Sequence, residues 1–412
     1  VFEAMNDVPW SSLHHAYGTA EDVPDQLRSL SSDDPEVRRK ARHDSYGNIF
    51  HQGTRYEASV AAVPFLLELL GDPSTPERAE LLELLVALAI GYDESWLPAG
   101  FPVADHREAA AAGAALLAAG GGGWDHIDTL GPDDQNRLQA CVDLRVYDAV
   151  GEGVPLFVGL LEDDDAAVRR MAACALGWFP ERAGESAAAL VWSVIDADES
   201  VAATAALSLG LIGAGQPPTT EPTGAGPGGA AVPAAGAFAG EALAAAFGGT
   251  RELVRGAAAV GLARLHGLEA RPEVVDALLR LSAAGAGSEV PFYDGNLSGY
   301  ASLSLRLVLP DDSDVAFSSL LDRIASVSGV EALPVVAEAL RRAFGTGPVA
   351  KETPFGELTE RQQRLVRALA HSPETWQLAG GSFGNFSLMV SGYGLPYSAD
   401  RMRDYAEVAK MP

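Results

Sequence analysis

Cysteine is almost missing. Cys141 and Cys174 are the only two in 412 residues, and they sit in different segments. With no CxxC and no Cys/His spacing, the chain has neither a disulfide framework nor the usual pattern of a structural zinc site. Cys174 lies in MAACALG among apolar neighbours and reads as a small core residue. Basic residues are also few, 29 against 56 acidic, for a net charge of −27. That balance opposes binding to nucleic acid or to an anionic membrane, so neither is expected as a partner. Aromatics make up 7% while hydrophobic residues reach 48%, with Ala and Gly dominant. Small residues suit closely packed helices, whereas β-sandwiches draw on β-branched and aromatic side chains. No apolar run reaches membrane-spanning length, the Ala-rich stretch at 109–119 included, and VFEAMNDVPW lacks the basic start of a signal peptide. A cytoplasmic protein is the expectation.

The common catalytic signatures are missing too: no GxSxG, no GxxxxGK[ST], no HExxH and no GxGxxG leading into a helix. GAGPGG and GGGG are low-complexity linker tracts. His106, His126, His266 and His371 are isolated. His14 and His15 are adjacent, and adjacent residues on a helix diverge by about 100°, so both rarely serve one ion. No metal and no cofactor is expected.

What the chain does have is a repeat. VRRMAACALG at 168–177 matches VAATAALSLG at 201–210, with Val168 on Val201 and Leu176-Gly177 on Leu209-Gly210, an offset of 33 residues. VRGAAAVGLA at 254–263 fits the same template 53 residues further on, the excess being taken up by the Pro/Gly/Thr-rich stretch AGQPPTTEPTGAGPGGAAVPAAG. Each match follows an apolar helix and an acidic turn. GVPLFVGLLEDDDAAVRR is the clearest instance: Val154, Phe157, Leu160 and Leu161 have helical spacing, and Asp163 to Asp165 form the turn and cap the next helix. Val-Pro opens a first helix at 23–24, 63–64 and 154–155, where proline is tolerated. Further pairs are expected for 272–282 with 300–308 and for 318–327 with 331–345.

Helix, tight acidic turn and helix, repeating every 30–50 residues or so, is the pattern of a helical-repeat array. The turn LLEDDDAAVRRMAACALG resembles the HEAT repeat family over roughly residues 20–265. The head WSSLHHAYGTAEDVP and the tail are similar to those of uncharacterised actinobacterial HEAT-repeat proteins. The resemblance implies an all-α fold, a right-handed α-solenoid of antiparallel helix pairs with atypical N- and C-terminal caps. It implies that an Asp in the turn and an Arg early in the second helix link neighbouring repeats, the place held by Arg38, Arg169 and Arg255 and vacated at Ala202. It further implies that second helices line a concave binding trough. The expected organisation is an N-terminal cap segment at 1–22, repeats at 23–213, a flexible insertion at 214–236, repeats at 237–345 and a C-terminal helical cap at 346–412.

Three polar stretches stand out. In HDSYGNIFHQGTRYEASV, laying Val168 on Val37 puts Asp44 where the third repeat has Ala175. Val37, Ala41, Asp44, Asn48 and His51 then share one helical stripe, with Gln52, Tyr56 and Glu57 beyond it. Buried polar groups need partners, so these side chains either seal an N-terminal cap with the head segment or form a polar pocket, with Trp10, His15 and Tyr17 as further binding candidates. In the pocket reading, Asp44 orients His51 for acid–base work with Glu57 beside them. The other two stretches are loops in which rings interleave with carboxylates. GYDESWLPAGFPVADH holds Tyr92 and Trp96; SEVPFYDGNLSGY holds Tyr293, Asp294 and Tyr300. Such loops suit a basic or amphipathic peptide, or else plug gaps between repeats. The preferred reading is a scaffold or adaptor that binds a protein or peptide, basic or amphipathic, in an acidic trough. The alternatives are an enzyme on a HEAT-like scaffold, peptide-modifying or lyase-like, and an immunity-type inhibitor of a basic toxin. HEAT-like DNA glycosylases need a basic trough, which the charge opposes.

Overall fold

The computed structural model describes residues 3–119, 129–213, 235–284, 287–345, 347–351 and 353–407. The GGGG tract lies outside these residues. So does the expected insertion at 214–236, except for its last two positions, which open a helix. The chain divides into two compact units, Val1–Ala242 and Leu243–Pro412.

The first unit opens with short 3-10 turns and a hairpin of β1 (His14–His15) and β2 (Gly18–Thr19). Helix α1 (Val23–Ser29) pairs with α2 (Pro35–Asn48). A second hairpin follows, β3 (Phe50–His51) with β4 (Thr54–Arg55), then α3 (Glu57–Gly71) and α4 (Arg78–Ile90). Next come α5 (Val103–Ala119) and α6 (Pro132–Gly151), then α7 (Val154–Leu160) with α8 (Ala166–Leu176), and α9 (Ala183–Ser193) with α10 (Glu199–Gly213). Helix α11 (Ala235–Phe247) spans the boundary.

In the second unit α12 (Glu252–His266) packs on α13 (Pro272–Ala284), which pairs with α14 (Leu297–Val308). Then α15 (Asp314–Ile324) pairs with α16 (Ala332–Phe344). The tail is α17 (Glu360–His371), a hairpin of β5 (Gln377–Leu378) and β6 (Gly381–Ser382), α18 (Gly384–Ser391) and α19 (Ala399–Glu407). This is an all-α helical-repeat solenoid fold of paired antiparallel helices, with strands among the described residues confined to isolated two-residue hairpins. Among the described residues no helix is long and apolar enough to cross a membrane.

The acidic turns act as the sequence implies. Asp34 and Asp165 accept the backbone N–H of Glu36 and Ala167 at 2.9 and 2.8 Å, and Asp198 accepts those of Ser200 and Val201. Each thus caps a second helix by satisfying an orphan donor. Small residues bring second helices close together. A Cβ on Gly177 would stand 2.8 Å from Ser208 Oγ, which itself donates to Ala173 O at 2.6 Å. One expectation fails. Val63-Pro64 lies in the middle of α3, which opens seven residues earlier at Glu57, with Tyr56 as N-cap. The helix starts where Ser59 Oγ accepts the Tyr56 N–H at 2.7 Å, and that cap outranks the proline signal.

The arginine link is real in the first unit, and longer than the sequence suggests. Arg38 donates to Ser32 O and Asp33 O in its own turn and to Glu77 Oε1 in the next, at 2.9 Å. Arg78, unnoticed in the sequence, makes a two-pronged bond to Asp163 at 2.7 and 3.0 Å. Arg169 repeats the Arg38 pattern, with Asp163 O, Asp164 O and the Asp196 carboxylate. Among the described residues Arg255 does not join. It is exposed, and the turn before it, GGTR, offers no carboxylate. Cutting a rung should cost stability. Arg169→Ala is expected to lose about 1–3 kcal/mol, Asp196→Asn less, and the double variant less than their sum. Thermal melts of the four proteins check this; strictly additive losses would deny the rung.

Candidate functional site

The polar N-terminal stretch assembles where the two hairpins meet the end of α2 and the start of α3. Gln52 and Gly53 both have positive φ, 50° and 88°, so HQGT makes the tight turn that closes β3–β4. That turn overturns the proposed helical stripe. Helix α2 stops at Asn48, so His51 lies on a strand. The buried positions of α2 are Ala41 and Ser45, with Ile49 just beyond, whereas Val37 is 40% exposed. Ser45 Oγ is satisfied by Ala41 O at 2.8 Å. Asp44 sits beside the packed face and pairs with Lys40. The apolar stripe is therefore kept, one position away from where the alignment put it.

Asp22 is the hub of the cluster. It accepts from His15 Nε2 at 2.8 Å, Gln26 Nε2 at 2.7 Å and Asn48 Nδ2 at 3.1 Å. His15 is buried, and its Nδ1 accepts the Tyr17 backbone N–H at 3.1 Å. A ring nitrogen that accepts an N–H carries no proton, so Nε2–H is the donor to Asp22. Both His15 nitrogens are thereby used, and the ring braces the first hairpin. The Ala16 N–H donates to Asn48 O at 3.1 Å, which ties that hairpin to the end of α2. Trp10 is a buried peg: its indole N–H donates to Met5 O at 2.9 Å, and its ring lies 6.3 Å from Phe65.

Outside this braced layer sits a more open pair. Tyr17 is 70% exposed; its ring meets His51 edge-on at 5.2 Å, with the hydroxyl 3.4 Å from Nδ1. Gln52 is exposed at the turn. Tyr56 is half-buried, and burial, with Tyr17 nearby, pushes its phenol up. Asp44, Asn48 and His51 are thus brought into one region, but each bonds a different partner, and the Asp44–His51 dyad does not form.

Glu57 and His14 differ from the rest. Glu57 Oε2 and His14 Nδ1 are shielded from solvent, 4.0 Å apart, and neither makes a hydrogen bond among the described residues. Burial holds the Glu57 carboxyl above its usual range, opposed by His14 and Arg145. A raised carboxylate favours folding below the unfolded Glu value, about 4.3, and loses that advantage as pH climbs through the folded value. Glu57→Gln is therefore expected to raise the melting temperature at neutral pH, with the gain vanishing as pH falls towards about 4. Melts of both proteins between those limits test it; a gain that persists in acid would contradict the assignment.

The two aromatic loops are mostly packing. Trp96 donates to Ile90 O at 2.6 Å and faces Phe101 at 5.1 Å, which stacks on Tyr147 at 5.0 Å. Tyr92 is half exposed but lies on the β3–β4 hairpin, 5.5 Å from Phe50. In the second unit Tyr300 is 1% exposed, a core residue of α14 rather than a surface ligand. Tyr293 and Asp294 take positive φ of 55° and 51° in the turn before it; Tyr293 is half-buried and Asp294 exposed. In the first unit helix α10 is buried from Ser200 to Gly213, and α8 with its exit from Ala172 to Phe179, while Ala166, Ala167, Arg169, Arg170 and Met171 of α8 stay half-buried.

Sequence reasoning missed a groove in the second unit. It has a volume of about 630 Å³ between α13 and α15, with Leu279 and Val315 as apolar lining and Ser318, Asp322, Arg323 and Ser326 as polar lining. Arg323 is buried and donates to Ser326 Oγ at 2.9 Å; Asp314 at the rim is held by Arg361 at 2.8 Å. No local signal marks it, because Leu279 meets α15 only through repeat stacking.

Paired helices, capped acidic turns and an arginine–carboxylate ladder define a helical-repeat protein. Residues 127–210 match the HEAT repeats family. Among solved structures the chain is similar to an engineered protein at 19% identity, over 73% of this chain and 98% of that one, with a TM-score of 0.38. It is similar to a designed armadillo repeat protein in complex with the peptide (KR)4 at 15% identity, over 70% and 99%, with a TM-score of 0.37. Importin beta matches at 14% identity, over 89% of this chain and 45% of its own, with a TM-score of 0.29. No match was found among curated proteins.

Proposed function

We propose that this chain is a scaffold that binds a protein or peptide, and that the partner is basic or amphipathic. The observation that carries the reading is charge on a helical-repeat frame. The chain has 27 more carboxylates than cations. Many of its arginines, including Arg38, Arg78, Arg169 and Arg342, are tied to carboxylates of its own fold. The outward field is therefore negative, which attracts cationic partners and repels nucleic acid and anionic lipid. The aromatic loops support this reading less than their sequence suggests, since most of their rings fill gaps. Tyr17, Tyr92 and Asp294 remain available at the surface, whereas Trp96 and Tyr300 do not. An enzyme at Asp44, His51 and Glu57 gains no support, because Asp44 and His51 are engaged separately.

The test is capture from a peptide library with matched acidic and basic members, using the full chain. Basic amphipathic members should be enriched, and raising salt from about 0.05 to 0.5 M should strip them. Equal retention of acidic and basic members would refute the reading.

A further inference from the structure

Helix α9 and the turn after it carry an apolar surface that the described residues leave uncovered. Trp192 is 75% exposed, the most exposed large apolar side chain among the described residues, and Ile195 is 68% exposed. They are three residues apart, and Ala188, one turn before Trp192, is exposed as well. The opposite face of the same helix is firmly seated: Ala183, Ala187, Leu190 and Val194 are buried. Trp192 sits in the last turn of α9 and Ile195 just after the helix, so the exposure lies at the end of a well-anchored helix. An exposed Trp and Ile three residues apart at the end of such a helix mark a contact surface, and Trp is among the residue types most enriched in binding hot spots.

The charge beside this surface says what fits it. Arg169 donates to Asp163 O in the turn between α7 and α8 and to the Asp196 carboxylate in the turn between α9 and α10. One guanidinium touches both turns, so they stack edge to edge. Ile195 and Asp196 are consecutive, which puts the apolar surface at that edge. Glu162, Asp164, Asp165 and Glu199 are exposed on these turns. Residues 153–199 together hold nine carboxylates and three arginines. A second copy would bring the same acidic edge and net −27 against it, so self-association is opposed.

We propose that Trp192 and Ile195 form a docking site at the end of α9 for a cationic amphipathic helix. Its apolar face covers Trp192 and Ile195, and its Lys or Arg side chains reach the acidic turns beside them. This rests on the scaffold reading above and deepens it by naming a surface. It places the contact at the end of a first helix, whereas α10 and the C-terminal half of α8 are buried.

The probe is a fluorescently labelled 18-residue Leu/Lys amphipathic peptide, with a Leu/Glu peptide of the same apolar face as control, titrated into the full chain by anisotropy. Saturable binding of the Leu/Lys peptide is expected, with at least tenfold loss in Trp192→Ala and in Ile195→Ser. Neither variant should shift the melting temperature, because both side chains are exposed. Leu388→Ser, at an exposed leucine in the second unit, should bind like the parent. If the Leu/Lys peptide binds and the Trp192 and Ile195 variants match the parent, the site is wrong while the scaffold reading stands. If no Leu/Lys binding occurs, both fail. Equal binding of the Leu/Glu peptide rejects the cationic occupant. Dimerisation by sedimentation that Trp192→Ala abolishes would make the occupant a second copy and overturn the proposal.

Discussion

Glu338→Gln is expected to cost about 3–5 kcal/mol, because it strands guanidinium groups around a buried neutral amide. Glu338 is 0% exposed and is the shared anion of three arginines. It accepts from Arg342 Nε at 2.7 Å and from Arg341 Nε and Nη2 at 2.9 and 2.8 Å, and forms an ion pair with Arg306 Nη2 at 3.1 Å. Arg342 in turn donates to Leu305 O at 3.0 Å and Pro310 O at 2.7 Å, which satisfies backbone at the exit of α14. One carboxylate therefore joins α16 to α14 and to the turn after it. A loss of that size lowers a melting midpoint by roughly 6–15 °C in a unit of this length. Calorimetry is the appropriate check, since two units can give two transitions. A midpoint within a degree of the parent would mean that the arginines find other anions or water at no cost.

Arg55→Met is expected to be nearly as damaging in the first unit. Arg55 is 4% exposed; it meets Asp143 on α6 at 3.1 Å and donates to Gly53 O at 2.7 Å inside its own hairpin. Gln139 fastens the other side, donating to Arg55 O at 3.0 Å and to Asp143 at 2.7 Å. Removing the guanidinium leaves a buried carboxylate without its cation, again about 3–5 kcal/mol at neutral pH. Burial already lifts the Asp143 carboxyl above its usual range, against the pull of Arg55 and of the Gln139 hydrogen bond. Without Arg55 the lift grows. A raised carboxylate favours folding in acid and loses that advantage as pH rises, so the deficit of Arg55→Met should shrink towards about pH 4. Arg55→Met with Asp143→Leu should recover part of the loss, since the orphan charge is gone. A deficit independent of pH would mean that the pair contributes through packing alone.

The repeat and its turns were legible because they are local and periodic. Asp34, Asp165 and Asp198 cap helices whose start can be read from four or five residues around them. The pairs α13 with α14 and α15 with α16 fall where the apolar spacing put them. The hairpin at HQGT was less visible, since a two-residue strand on either side of a turn has no period to detect. Missing it displaced the candidate site: the stripe through Asp44 and Asn48 was carried on to His51 across a turn that breaks it. Proline 64 misled for a related reason, because a Val-Pro pair marks a helix start only where a cap agrees, and here the cap lies at Tyr56 and Ser59.

The sequence by itself determined that this is an acidic array of paired helices, because helical spacing, capping carboxylates and net charge are properties of short segments and of sums. Only the tertiary structure decided which polar residues are spoken for. His15 is used up by Asp22 and a backbone N–H, Asn48 by Asp22, and Trp96 by a carbonyl, while Trp192, unremarkable in its sequence, is left in the open. Whether a side chain is a partner or a surface depends on what stands across from it, and that is set by residues distant in the chain.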